Sequence, residues 1–365
     1  MQRRTMLRQA ALTMAAFTLS RDLFAREAFN DPGPLPVEEM IRLGSNENPH
    51  GPSPLARKAM MDAVNTSNRY PWSTTSALID KIAGMYGLKA ENVVIGAGSS
   101  ELLGLTAVLA ALQKGNAVIP DPSFRLWVPA ARNLGLEMRT VPLNQAKQID
   151  LAAMKGKTDT QTRLIYICNP NNPTGTVIPA PELEAYIRQI PASCIVLLDE
   201  AYTEFSNEPS LARLVNECPN LVVAKTFSKM YALAGGRVGF ALAHPQTIEK
   251  LKNLQPWANA GAGAVSLAGA LASLGDEEFV RFCKKENTAA RAVFCAALDK
   301  AGMTYIPSVT SFVYFNTAGY GRDVKALLES HNITGVRSFE EGSTWRRLSV
   351  GTVAEMEKVA AVLKS

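Results

Sequence analysis

Thr226-Phe227-Ser228-Lys229-Met230-Tyr231-Ala232-Leu233-Ala234-Gly235-Gly236-Arg237 sets a lysine behind two hydroxyl residues and ahead of a glycine pair and an arginine. Just upstream, Asn220-Leu221-Val222-Val223-Ala224 is an apolar run of the length of a short buried strand. The lysine therefore falls where a strand gives way to a turn. Thr226 and Ser228 each offer a hydroxyl donor, and Arg237 carries the planar fork that grips a phosphate through two bonds. A lysine beside such an anion site suits a Schiff base with an aldehyde cofactor that carries its own phosphate. That cofactor would be pyridoxal phosphate (PLP).

A second half of the phosphate cup lies earlier. Glu91-Asn92-Val93-Val94-Ile95 reads as a strand, and Gly96-Ala97-Gly98-Ser99-Ser100-Glu101 opens a helix running to Leu112. The first backbone N–H groups of a helix lack partners and favour negative charge, and Ser99 and Ser100 add hydroxyls there. A dinucleotide-binding turn is the rival reading, but the third glycine of its fingerprint is replaced by Glu101.

Further polar residues recur at strand ends. Ile195-Val196-Leu197-Leu198-Asp199 closes an apolar strand on a carboxylate, which needs a charged or donor partner such as a protonated pyridine nitrogen. Tyr202, three residues on, is a donor to a phenolic ring oxygen. Asn169-Pro170-Asn171-Asn172-Pro173-Thr174-Gly175 makes a rigid turn from which Asn172 reaches a ring hydroxyl. Phe124, past the turn Asp121-Pro122-Ser123, is either a stacking partner for a flat heterocycle or ordinary core. A helix is expected over Phe124–Leu134.

Apolar runs at Asn116–Pro120, Arg163–Cys168, Cys194–Leu198, Asn220–Ala224 and Gly239–Ala243, separated by helical segments, predict a mostly parallel sheet between helices. Its ligand belongs at the carboxyl edge of the strands, where these motifs fall. From residue 257 the pattern changes to small-residue and long helical stretches with a few strands, a smaller α+β unit. The expected organisation is a leader over 1–27, an arm and small-domain start over 28–68, a large α/β domain over 69–256 and a small domain over 257–365. Arg347, inside a strand pattern, is the residue to clamp an acidic substrate group.

The formal charge of +5 is not a nucleic-acid footprint. Arg3, Arg4, Arg8, Arg21 and Arg26 against Asp22 and Glu27 put much of the excess in the first 27 residues. There, Gln2-Arg3-Arg4-Thr5-Met6-Leu7-Arg8 ahead of a mildly apolar segment resembles a bacterial twin-arginine export signal, which implies a periplasmic address; the alternative is a basic helix on a cytoplasmic protein. No apolar run approaches the ~20 residues of a membrane span, so no stable membrane association is expected. His50, His244 and His331 are scattered and the five cysteines show no metal spacing, so no metal site is expected.

Taken together, Gly98-Ser99-Ser100-Glu101, Asn169–Gly175, Asp199-Glu200-Ala201-Tyr202, the Lys229 segment with Arg237, and Arg347–Thr352 resemble the fold-type-I PLP aminotransferases in identity and order. Asn46-Glu47-Asn48-Pro49 and Asn68-Arg69-Tyr70-Pro71 are most similar to the histidinol-phosphate aminotransferase branch. The resemblance implies that Lys229 forms the Schiff base and shuttles the proton, Asp199 pairs with the ring nitrogen, Asn172 and Tyr202 hold the ring oxygen, and Phe124 stacks on the ring. It gives the phosphate to Ser99, Ser100, Thr226, Ser228 and Arg237, and the substrate to Arg347 and Asn48. Tyr70 would reach the cofactor of a neighbouring subunit, implying a homodimer. The implied reaction is transamination of an amino acid or small amine with a 2-oxo acid. Histidinol-phosphate transamination proper, decarboxylation of an amino acid phosphate, racemisation and β-elimination stay open, since all draw on the same carbanion.

Overall fold

The computed structural model describes residues 40–365. The expected export signal, and the arm as far as residue 39, lie outside the described residues. Seven strands form the main sheet: β1 (Val93–Gly96), β2 (Gly115–Asp121), β3 (Leu136–Pro142), β4 (Thr162–Cys168), β5 (Ile195–Asp199), β6 (Leu221–Thr226) and β7 (Gly239–Ala243), in the order β1-β7-β6-β5-β4-β2-β3. Only β7 runs antiparallel to its neighbours.

The sheet is covered on both faces, which is why its strands read as unbroken apolar runs. Alternate residues face opposite ways. Val93, Ile165, Ile167, Val196, Leu198 and Val223 join one core. Val94, Leu164, Tyr166, Leu197, Val222 and Ala224 join the other. The strand Leu136–Pro142 carries Glu137, Arg139 and Thr140 toward water at the sheet edge and so lacks that signal.

One expected helix is corrected. It does not begin at Phe124 but spans Val128–Asn133. Pro129 has no N–H and is tolerated only in a first turn, so a helix from Phe124 would put its ring against the Arg125 carbonyl. Residues 122–127 are left as a turn, and Phe124 sits in it.

A third core gathers Ile41 and Leu43 with Ala290, Phe294, Val313, Phe315, Leu348 and the helix Val353–Lys364. It surrounds a three-stranded antiparallel sheet in which Phe312–Asn316 lies between Thr304–Ile306 and Trp345–Ser349. Leu267, Ala270 and Leu274 pack in the main-sheet core, as does Cys283, whereas Ala290, further along the helix Glu277–Lys300, packs in the third core. The change at 257 is one of secondary structure: the small residues of Ala264–Ser273 let that helix lie close against Pro54–Val64.

Candidate active site

β6 and the turn after it carry two lysines with different fates. Lys225 points into the core, 2% exposed, with Nζ 3.2 Å from Glu200 and 2.9 Å from Glu204. Past the strand end the chain turns, with Ser228 N–H on Thr226 Oγ1 at 3.1 Å and left-handed φ values of 58° at Ala232 and 52° at Arg237. This turn delivers Lys229 to a cavity of 370 Å³ at the carboxyl edge of the parallel strands. Lys229 Nζ donates to the Ser45 carbonyl at 2.7 Å and stands 5.9 Å from the centre of the Tyr202 ring. Burial, then the nearby Arg347 cation, pulls its pKa down to about 8.

The wall opposite is Asp199, at the end of β5 and 2% exposed. Its Oδ2 accepts from the Tyr166 hydroxyl at 2.9 Å and its Oδ1 from Ala201 N–H at 3.1 Å. Even with these donors, burial lifts its pKa to about 6. Tyr202 Oη accepts from Asn46 Nδ2 at 2.9 Å and from Asn172 Nδ2 at 3.4 Å. Arg347, 5% exposed, donates to Asn172 Oδ1 at 2.7 Å and to the Gly44 carbonyl at 2.6 Å, between the rings of Phe312 and Phe339. Its Nε is buried without a partner.

At the other end of the cavity, Ser99, Ser100, Thr226, Ser228 and Arg237 converge. Arg237 bridges the two motifs, donating to the Ala234 carbonyl at 3.0 Å and the Ala97 carbonyl at 3.4 Å. Gly98 makes this approach possible: its φ is +81°, and a Cβ there would collide with the guanidinium. Phe124 completes the lining.

Of the residues singled out from the sequence, eleven share this cavity: Ser99, Ser100, Phe124, Asn172, Asp199, Tyr202, Thr226, Ser228, Lys229, Arg237 and Arg347. Two do not. Asn48 is turned away, donating to the Met230 carbonyl at 2.8 Å and contacting Cys283 Sγ at 3.2 Å, because Asn46 takes a left-handed φ of 53° and itself faces the cavity. Tyr70 is exposed outside it, stacked on Trp72 at 5.4 Å and beside Trp257 at 5.1 Å. Sequence reading missed Asn46, Tyr166 and Arg337. Asn46 lay within a quoted motif, whereas Tyr166 looked like one more apolar strand residue, and Arg337 reaches the cavity by pairing beside Arg347.

The donor set fits PLP. A buried carboxylate, a lysine with a lowered pKa and the Arg347 guanidinium line one cavity, and a glycine-dependent cradle of hydroxyls and arginine closes one end. Fold and site together define a PLP-dependent transferase. The family profile described as aminotransferase class I and II matches residues 38–363, and the chain belongs to that family. It is 35% identical over 310 residues to histidinol-phosphate aminotransferase 1 of Nitrosococcus oceani, covering 82% of this chain and 83% of that protein. It is 34% identical to histidinol-phosphate aminotransferase 2 of Carboxydothermus hydrogenoformans, with 90% and 94% covered. The structure superposes on the crystal structure of histidinol-phosphate aminotransferase from Sinorhizobium meliloti in complex with pyridoxal 5'-phosphate with a TM-score of 0.81 at 26% identity, covering 89% of this chain and 91% of that one. The enzyme is a PLP-dependent aminotransferase with the α/β fold of that family.

Proposed function

We propose that this aminotransferase moves an amino group from an amino acid or small amine to a 2-oxo acid, with Lys229 as the residue that binds the cofactor and carries the proton. The observation that carries this reading is the position of Lys229 Nζ, which donates to the Ser45 carbonyl and shares one cavity with Asp199 and Arg347. PLP, when bound, supplies an electron sink that weakens the C–H bond of the carbon bearing the amino group. Asp199 holds the ring nitrogen and keeps a proton there. Asn172 and Tyr202 hold the ring oxygen and Phe124 covers a ring face. Ser99, Ser100, Thr226, Ser228 and Arg237 hold the phosphate. Lys229 Nζ takes the proton from Cα of the amino donor in the first half-reaction and delivers one to Cα of the oxo acid in the second, a task for which a pKa of about 8 is well placed near neutral pH. Arg347, on the cavity wall, orients the substrate through its acidic group, each Nη keeping a second N–H beside the one it gives the protein.

The exposed aromatic group of Tyr70, Trp72 and Trp257 supports a homodimer in which Tyr70 serves the cofactor of the other copy. The Arg3-Arg4 pair supports export by the twin-arginine pathway to the periplasm. Histidinol phosphate as donor is the second reading, favoured by the names of the relatives and by Arg337, a second cation beside Arg347 on the cavity wall. A donor panel with the purified holoprotein and 2-oxoglutarate separates the two. Turnover confined to histidinol phosphate selects the second reading, broad turnover of amino acids or amines selects the first, and loss of amino groups without formation of an amino product refutes transamination.

A further inference from the structure

The buried phenol of Tyr166 has no place in the scheme above, yet among the described residues it makes one of the two hydrogen bonds to the Asp199 carboxylate. Tyr166 is on β4 and Asp199 on β5. Their registers pair Cys168 with Asp199 and Tyr166 with Leu197, so tyrosine and aspartate are diagonal neighbours on one face of the sheet. Both are essentially solvent-free, Tyr166 at 0% and Asp199 at 2% exposure. The phenol ring packs against Trp127, ring centres 5.2 Å apart. Around the carboxylate the fold supplies conflicting charges: Lys229 across the cavity and Glu200 next in the chain, with Cys168 alongside Tyr166.

A carboxylate in that setting stays ionised only if its oxygens are satisfied. Ala201 N–H occupies Oδ1 from within the turn, and Tyr166 occupies Oδ2 from the neighbouring strand. We infer that Tyr166 is a positioning residue for the cofactor: its hydroxyl fixes Asp199 in rotamer and charge so that the carboxylate can hold the N–H of the pyridine ring. The residue touches neither substrate nor cofactor and acts through Asp199 alone. This rests on the reading that Asp199 meets the ring nitrogen, and the test keeps the two apart.

The full-length chain, stripped of cofactor, is titrated with PLP and with an analogue in which the ring nitrogen is replaced by C–H. The parent protein prefers PLP; equal affinity for the two would remove the Asp199 reading itself. In Tyr166→Phe the preference for PLP shrinks by about tenfold or more, as expected for losing a hydrogen bond to a charged group, while affinity for the analogue stays near the parent value. That retained affinity also reports that the site still folds. Trp127→Phe loosens the packing on the same ring but leaves the hydroxyl, and it keeps the parent preference. A Tyr166→Phe protein that loses PLP and analogue equally, or loses neither, overturns the inference, because packing alone then accounts for the tyrosine.

Discussion

Replacing Arg347 by lysine tests the substrate clamp with the charge retained. The guanidinium gives one N–H of Nη1 to Asn172 Oδ1 and one of Nη2 to the Gly44 carbonyl, at 2.7 and 2.6 Å, and each Nη keeps a second N–H for a substrate carboxylate. Lysine cannot reproduce this division: a single ammonium must serve either the protein or the substrate, and it lacks the planar fork that lies between Phe312 and Phe339. Losing one charge-assisted bond to a substrate carboxylate costs about 1.5–3 kcal/mol, or about 10- to 150-fold in kcat/KM. The assay is the rate of the first half-reaction, followed by cofactor absorbance, for an amino acid and for the amine of the same skeleton without its carboxylate. The acid loses the full factor, and the amine changes by less than about threefold, having no carboxylate to lose a bond to. Equal losses for acid and amine would refute the clamp and make Arg347 a support for Asn172.

Two further substitutions probe Lys229 and the phosphate cradle. Lys229 has its pKa lowered from 10.5 to about 8 in the folded, cofactor-free protein, so the unfolded chain binds the extra proton between these values and the parent gains stability as pH rises through that window. Lys229→Met removes the buried charge, and its denaturation midpoint should therefore exceed that of the parent most below pH 8, with the gap closing toward pH 10.5; a gap independent of pH contradicts the buried-amine argument. Gly98→Ala combines a left-handed φ with a collision against Arg237, and should cost about 1–2 kcal/mol of stability together with about tenfold in PLP affinity as the guanidinium is displaced. Gly104→Ala, in the same helix but with open space around it, should be stabilising by about 0.5–1 kcal/mol and leave PLP binding unchanged, measured by the same denaturation and dialysis experiments.

What could be read from the chain follows from where each residue faces. Strands buried on both sides, such as Ile195–Asp199 and Gly239–Ala243, announce themselves as apolar runs, and the polar residue that ends such a run stands out. The direction of a strand leaves no such trace, so the antiparallel course of Gly239–Ala243 is visible only in its pairing. The edge strand Leu136–Pro142 is half wet and its pattern is diluted accordingly. The motif asparagines illustrate the limit within a few residues: the left-handed turn at Asn46 decides that Asn46, and not Asn48, meets Tyr202. Tyr166 shows it across strands. Its hydroxyl finds a carboxylate 33 positions away because two parallel strands lie in one register, which no local pattern encodes.

The assignment of the cofactor to Lys229 is open to one direct measurement, since Lys225 lies only four residues away on the preceding strand. The purified holoprotein is reduced with borohydride and digested, and the peptide carrying the pyridoxyl mass increment is sequenced by fragmentation. The increment is expected on Lys229 alone, because Lys225 is enclosed by Glu200 and Glu204 and has no path to the cavity. An increment on Lys225, or a reduced holoprotein with position 229 unmodified, would contradict the account.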